Sequence, residues 1–133
     1  MIVLDSYAWI EYFLGSDTGR TVREYLNTEE VVTPSIALAE IARKYLREEV
    51  EQEDVLKRLN FISTSSTVME INAELSLAAA KAHLELSKKA KVKQLRRHGL
   101  TDGIILASGR ALGAKIVTGD EHFKGLAEVI YIG

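Results

Sequence analysis

Acidic residues that close apolar runs are the first feature of this sequence with chemical potential. The run Ile2-Val3-Leu4 stops at Asp5, and the run Lys115-Ile116-Val117-Thr118 is followed by Gly119-Asp120. Short apolar runs of this kind read as buried strands, and open parallel sheets bind ligands beyond the carboxyl ends of their strands. Strand position alone therefore puts Asp5 and Asp120 at one edge of a sheet, provided the two strands are neighbours. Each also has an ordinary reading: Asp5 can cap the helix that follows, and Gly119-Asp120 is common turn chemistry. Asp102 is more informative, because it stands in line with Ile105, Leu106 and Gly109 at the i, i+3, i+4, i+7 positions of a helix. That face points toward packed neighbours rather than open water. The alternative for Asp102 is an acid in a first turn, complementing the helix dipole. Periodicity does not select Glu40. A helical wheel sets it opposite Leu38, Ile41 and Tyr45 and near Arg43, Lys44 and Arg47, where a surface pair with Lys44 accounts for it.

Composition removes several other chemistries. The chain has no cysteine, which excludes a disulfide framework, zinc-thiolate sites and cysteine nucleophiles and fits a reducing, cytoplasmic setting. The 133 residues, 47% hydrophobic and 27% charged, match ordinary globular usage and suit one domain rather than a disordered chain. The amino-terminal apolar run is far too short for a signal segment or a membrane span. A net charge of -2 offers no global attraction to nucleic acid, so a polyanionic partner would have to be held by a local basic patch or a bound metal. The densest such patch is Lys88, Lys89, Lys91, Lys93, Arg96 and Arg97. Among these Lys91, Arg96 and Arg97 are the candidates for phosphate contact, with a solvated helix end as the equal alternative.

The elements that must position these residues follow from the apolar pattern. A strand at 2–4 leads to a short helix ending before Gly15, and Val22 and Leu26 mark a second helix over about 18–26. Val31-Val32 suggests a second strand. Thr33-Pro34 reads as a helix start, with Thr33 capping and Pro34 at the first helical position; that helix runs to about Glu48. The acidic run at 48–54 is solvated and leads into Val55, Leu56, Leu59 and Ile62 at helical spacing. Val68 and Ile71 suggest a third strand before a long helix from about Ala73 into the lysine-rich stretch. Gly99 punctuates, a last helix covers about Asp102–Leu112, and strands occupy Lys115–Thr118 and Val129–Ile132. Alternating strands and helices imply a mainly parallel sheet of about five strands, covered by helices on both faces.

Taken together, the segments IVLDSYAWIEYF, TPSIALAEIARK, LTDGIILASGRALGAKIVTGDEHF and the closing VIYI resemble the PIN-domain nucleases, and among them the VapC-type toxin ribonucleases of toxin–antitoxin pairs. The resemblance runs over nearly the whole chain and is most specific in the spacing from Asp102 to Thr118-Gly119-Asp120. It implies one PIN-like three-layer α/β/α domain over residues 1–133, with Asp5, Glu40, Asp102 and Asp120 on the acidic metal-binding positions. Ser6 and Thr118 match hydroxyl positions that orient carboxylates or waters, although backbone hydrogen bonding at strand ends accounts for them equally well. Tyr7 departs from the smaller residue usual there, and Gly103 with Ser108-Gly109 departs from the usual pattern after the acid. Both departures bear on substrate fit.

Two carboxylates about 5 Å apart repel by roughly 3 kcal/mol at an effective dielectric of 20, so four acids in one crevice call for a hard divalent ion. All-oxygen ligands favour Mg²⁺, with Mn²⁺ possible in its place. Such an ion makes a side-chain nucleophile unnecessary for phosphodiester hydrolysis, and the family implies products with a 5′-phosphate and a 3′-hydroxyl. His122 is accordingly read as a surface or first-turn histidine rather than a base or ligand, and Trp9 and Phe123 as core. A haloacid-dehalogenase phosphatase would need a second acid where Tyr7 stands, and a response-regulator receiver would need adjacent acids after its first strand. The remaining alternatives are a catalytically silent PIN-like interaction domain and a housekeeping RNA-processing nuclease. The resemblance also implies a homodimer and a small antitoxin as partners, the acidic run at 48–54 being the region to inspect for antitoxin contact.

Overall fold

The computed structural model describes residues 1–92 and 99–133. Five strands, β1 (Ile2–Leu4), β2 (Val31–Pro34), β3 (Thr67–Met69), β4 (Lys115–Thr118) and β5 (Val129–Tyr131), form one sheet in the order β3-β2-β1-β4-β5, every neighbouring pair parallel. Six helices, α1 (Ser6–Leu14), α2 (Asp17–Thr28), α3 (Ser35–Arg47), α4 (Gln52–Ser65), α5 (Ala73–Val92) and α6 (Leu100–Leu112), alternate with them.

The register explains the layers. Val3 pairs with Val32 on one side and Ile116 on the other. Because side chains alternate across a strand, these three share a face, and they pack against Leu75, Ala79, Leu86, Ile105 and Leu106 of α5 and α6. Ile2, Leu4, Val31 and Val117 point the opposite way, into a core with Ala8, Trp9, Val22, Ile41, Tyr45, Val55 and Ile62 of α1 to α4. A sheet covered on both faces can afford near-continuous apolar strands, and β1 at its centre is buried throughout.

Helices α5 and α6 pack closely because of Gly103. A Cβ there would meet the Ala79 carbonyl oxygen and would stand 2.8 Å from the His83 Cβ. The sequence departure at this position is thus a packing requirement between two helices. On the other face, the fully buried Trp9 donates from Nε1 to Thr33 Oγ1 at 3.0 Å, and Thr33 Oγ1 lies 2.7 Å from Ser66 Oγ.

Three local expectations fail here. Thr33 and Pro34 do not start α3. Both belong to β2, pairing with Val68 and Met69, and Pro34 precedes the helix without a side-chain cap. The Thr33 hydroxyl is taken by the indole instead, and strand pairing overrides the local signal. Helix α4 also starts earlier than the apolar spacing implied. It absorbs Glu53 and Asp54 into its first turn, where acids complement the helix dipole. Helix α6 likewise begins at Leu100, two residues before Asp102. Among the described residues no helix is long and apolar enough to cross a membrane.

Candidate active site

Strand order fixes where a crevice can form. The chain leaves β1 toward β2 on one side and later returns to β4 on the other, so the connections diverge beyond the carboxyl ends of β1 and β4. This is the position at which open parallel sheets take ligands.

Asp5 leaves β1 there in extended conformation and caps α1, its Oδ1 accepting from the Ala8 amide at 3.0 Å. Its Oδ2 accepts from the Thr118 hydroxyl at the end of the adjacent β4. The capping role and the clustering of acids are therefore both realised by one side chain. Thr118 Oγ1 in turn accepts from the Asp120 amide at 3.1 Å. Ser6, the first residue of α1, stands near enough to Glu40 of α3 to favour its ionised form. The Glu40–Lys44 surface pair is not formed: Lys44 reaches Glu48 instead, at 2.6 Å.

Asp120 caps a short 3-10 turn over Glu121–Phe123, and its Oδ1 accepts from the His122 amide at 2.9 Å. The imidazole Nδ1 lies 2.9 Å from the same oxygen and 4.0 Å from Asp102 Oδ2. His122 does lie in a first turn, but it is only 3% exposed, so the surface expectation is corrected. A buried imidazole needs a partner, and here Asp120 provides it, with Asp102 close by. The available sequence signal was its place two residues after a capping aspartate and beside the buried Phe123.

Asp5, Ser6, Glu40, Asp102 and Asp120 line one cleft of about 750 Å³, together with Tyr7 and Tyr131. Four acids from four separate segments thus meet in one concavity. The ring of Tyr7 lies against the backbone of Gly119, where an added Cβ would come within 2.8 Å of its Cδ1. Gly119 is accordingly the residue that admits the bulky Tyr7 to the cleft wall. Thr118 does not line the cleft; fully buried, it links the Asp5 carboxylate to the Asp120 amide. Of the basic candidates, Lys91 is exposed in the last turn of α5; Arg96 and Arg97, with Lys93, lie outside the described residues.

Electrostatics follow from this crowding. Burial pushes the Asp5 carboxyl up to about 7, against the stabilising hydrogen bonds from Thr118 and Ala8, with the nearby Asp120 and Glu40 charges adding to the rise. Burial also raises Glu40; Ser6 and Arg43 oppose the shift, and Asp120 reinforces it. Ionising these acids together is unfavourable without a cation. The four acids offer carboxylate oxygens, which suit a hard divalent ion. Ligand atoms of Asp102, Asp120 and His122 all fall within 4.8 Å of one another, so one imidazole nitrogen stands beside the carboxylates, held against Asp120 at 2.9 Å.

A family model described as the PIN domain matches residues 2–129. Among solved structures, the chain superposes on Mycobacterium tuberculosis VapC20, described as a sarcin–ricin-loop-cleaving toxin, with a TM-score of 0.71 and 18% identity over 97% of this chain and 98% of that one. DNA-bound VapBC from Salmonella typhimurium gives 0.68 and 19% over 100% of both chains. VapBC2 from Rickettsia felis, bound to a DNA fragment from its promoter, gives 0.67 and 20% over 98% of this chain and 97% of that one. At these identities the likeness is one of fold. Curated proteins give no match by sequence.

Proposed function

The chain belongs to the PIN-domain family, and from that premise we propose that it is a metal-dependent endoribonuclease, the toxin of a VapBC-type pair, whose reaction is carried by Asp5, Glu40, Asp102 and Asp120. The observation that carries this reading is the meeting of four acids in one cleft at the divergence of β1 and β4. A likeness in fold to VapC20, a sarcin–ricin-loop-cleaving toxin, supports RNA as the substrate. Crystal structures of VapBC assemblies with the same fold support a small antitoxin as partner. A homodimer and a cytoplasmic setting belong to the same reading, as does a single domain spanning 1–133.

Mg²⁺, or Mn²⁺ in its place, would be held by these four acids. Bound there it supplies an activated water and offsets charge on the phosphate. The protein's own side chains do the positioning. Thr118 and the Ala8 amide each hold one oxygen of Asp5, which fixes the plane of that carboxylate. His122 holds Asp120 through ring and backbone together. Ser6 favours the ionised form of Glu40. Such fixed orientation keeps the acids ready for a cation without reorganisation.

Incubating the purified protein with pooled RNA tests the reading. Cleavage should require Mg²⁺ or Mn²⁺, leave 5′-phosphate and 3′-hydroxyl ends, stop in chelator, and be nearly abolished in Asp102→Asn. A folded protein that leaves RNA intact with every divalent ion, or that cleaves it equally well in chelator, would overturn the proposal.

A further inference from the structure

A second concavity of about 590 Å³ opens beside the acidic cleft and shares Ser6, Glu40, Lys44 and Glu48 with it. Its distinguishing residues are Arg43 and Arg47 of α3. They stand four apart, so they are neighbours on one helix face, about 6 Å apart between Cβ atoms. Other cations of α3 and α4 are already engaged: Lys44 is bound to Glu48 at 2.6 Å, Lys57 faces Glu53 at 3.8 Å, and the Arg58 guanidinium sits 4.4 Å over the Tyr45 ring. Arg43 and Arg47 are exposed and form no ion pair among the described residues. Two solvent-facing guanidinium groups, Arg43 near enough to Glu40 to favour its ionised form, thus border a cluster of acids on a protein of net charge -2.

That juxtaposition poses a physical problem and solves it. An acidic cleft repels a polyanion everywhere except at its bound cation, so a strand that enters it must be attracted by groups just outside. Guanidinium is the side chain best suited to grip phosphate oxygens two at a time. We propose that the groove along α3, through Arg43 and Arg47, holds the sugar–phosphate backbone of the substrate strand on one side of the scissile bond. This rests on the nuclease reading above and deepens it, since it gives the strand a track and predicts that substrates need flanking nucleotides.

The test uses Arg43→Gln/Arg47→Gln beside a charge-matched control, Arg20→Gln/Lys57→Gln, whose residues lie in neither the cleft nor the groove. Binding of a short phosphorothioate-linked single-stranded RNA in Mg²⁺ is followed by fluorescence anisotropy across a salt series. Cleavage is measured separately on a long RNA and on a dinucleotide. Losing two phosphate contacts should make the log–log salt slope shallower by about 1.4 and weaken binding roughly tenfold near 0.1 M salt. Cleavage of the dinucleotide should fall far less than cleavage of the long RNA, and Arg43→Lys/Arg47→Lys should restore most of the slope. An unchanged slope in the double variant would overturn the proposal. An equal change in the control, or no RNA binding by the wild type, would do the same. If the slope changes as expected but no RNA is cleaved by any form, the groove stands and the nuclease reading fails.

Discussion

Replacing Asp5 by Asn isolates what burial of that carboxylate costs. The side chain is 5% exposed and its carboxyl is pushed from 3.8 up to about 7. Between those values the native state keeps a proton that the unfolded chain releases, so the folding stability of the metal-free protein must fall as pH rises through this window. At about 1.4 kcal/mol per pKa unit the full effect is about 4 kcal/mol, of which some 2–3 kcal/mol falls between pH 5 and pH 8. Asn keeps the shape and can still accept from the Ala8 amide, but its amide nitrogen cannot accept from Thr118. That hydroxyl must turn, at a cost of about 1 kcal/mol. In chelator, therefore, the stability of Asp5→Asn relative to wild type should improve by about 2–3 kcal/mol between pH 5 and pH 8, the variant being the more stable at pH 8. The slower contribution of Glu40, raised in the same direction, is common to both proteins and largely cancels. Urea unfolding in chelator at several pH values measures the difference directly. Saturating Mg²⁺ should reverse the order at pH 8, because only the wild type gains fully from binding. A stability difference that stays flat with pH would refute the burial argument, and wild-type cleavage by Asp5→Asn would remove the residue from the reaction.

Two further substitutions probe the frame that holds the site. Gly103→Ala should lower stability by about 1–3 kcal/mol through overpacking of α5 against α6 and should weaken metal affinity by displacing the adjacent Asp102; a thermal melt and a metal titration that both match wild type would refute the close packing. Thr33→Val leaves the Trp9 indole N–H without its acceptor and should cost about 1–3 kcal/mol in urea unfolding, with Thr33→Ser restoring most of the loss and metal affinity unchanged in both.

The sequence made the layers legible because the strands are short and apolar and the helices other than α1 and α6 have a clear polar side. Asp5 and Asp120 could be placed from strand ends alone, and Asp102 from the stripe it shares with Ile105, Leu106 and Gly109. Glu40 could not, because a residue lining a cleft at the sheet edge belongs neither to the core stripe nor to the solvated face of its helix. Only the family resemblance singled it out. His122 escapes sequence reasoning for a related reason: a metal-activated water leaves it no obvious task, whereas the structure buries it against Asp120, 2.9 Å from one carboxylate oxygen. Thr33-Pro34 misled because cap chemistry is local, while the pairing of Thr33 with Val68 and the indole bond from Trp9 are not. The pair Arg43 and Arg47 looked like an ordinary solvated helix face until the groove beside the acids gave it a position.

The bond between Thr118 and Asp5 joins residues 113 positions apart, across the middle of a sheet whose central strand precedes the other four in the chain. Contacts of such separation form late, since the intervening chain must first be ordered. While the protein is being made, Asp5 emerges early and waits, with the β4 edge of its strand open, until α5, α6 and β4 have followed. Partial chains on the ribosome therefore hold Asp5 and Glu40 but neither Asp102 nor Asp120. Completion of the acidic set is in this way timed by translation itself: whatever these residues do together, a nascent chain cannot do it until Asp120 has been added and released from the exit tunnel.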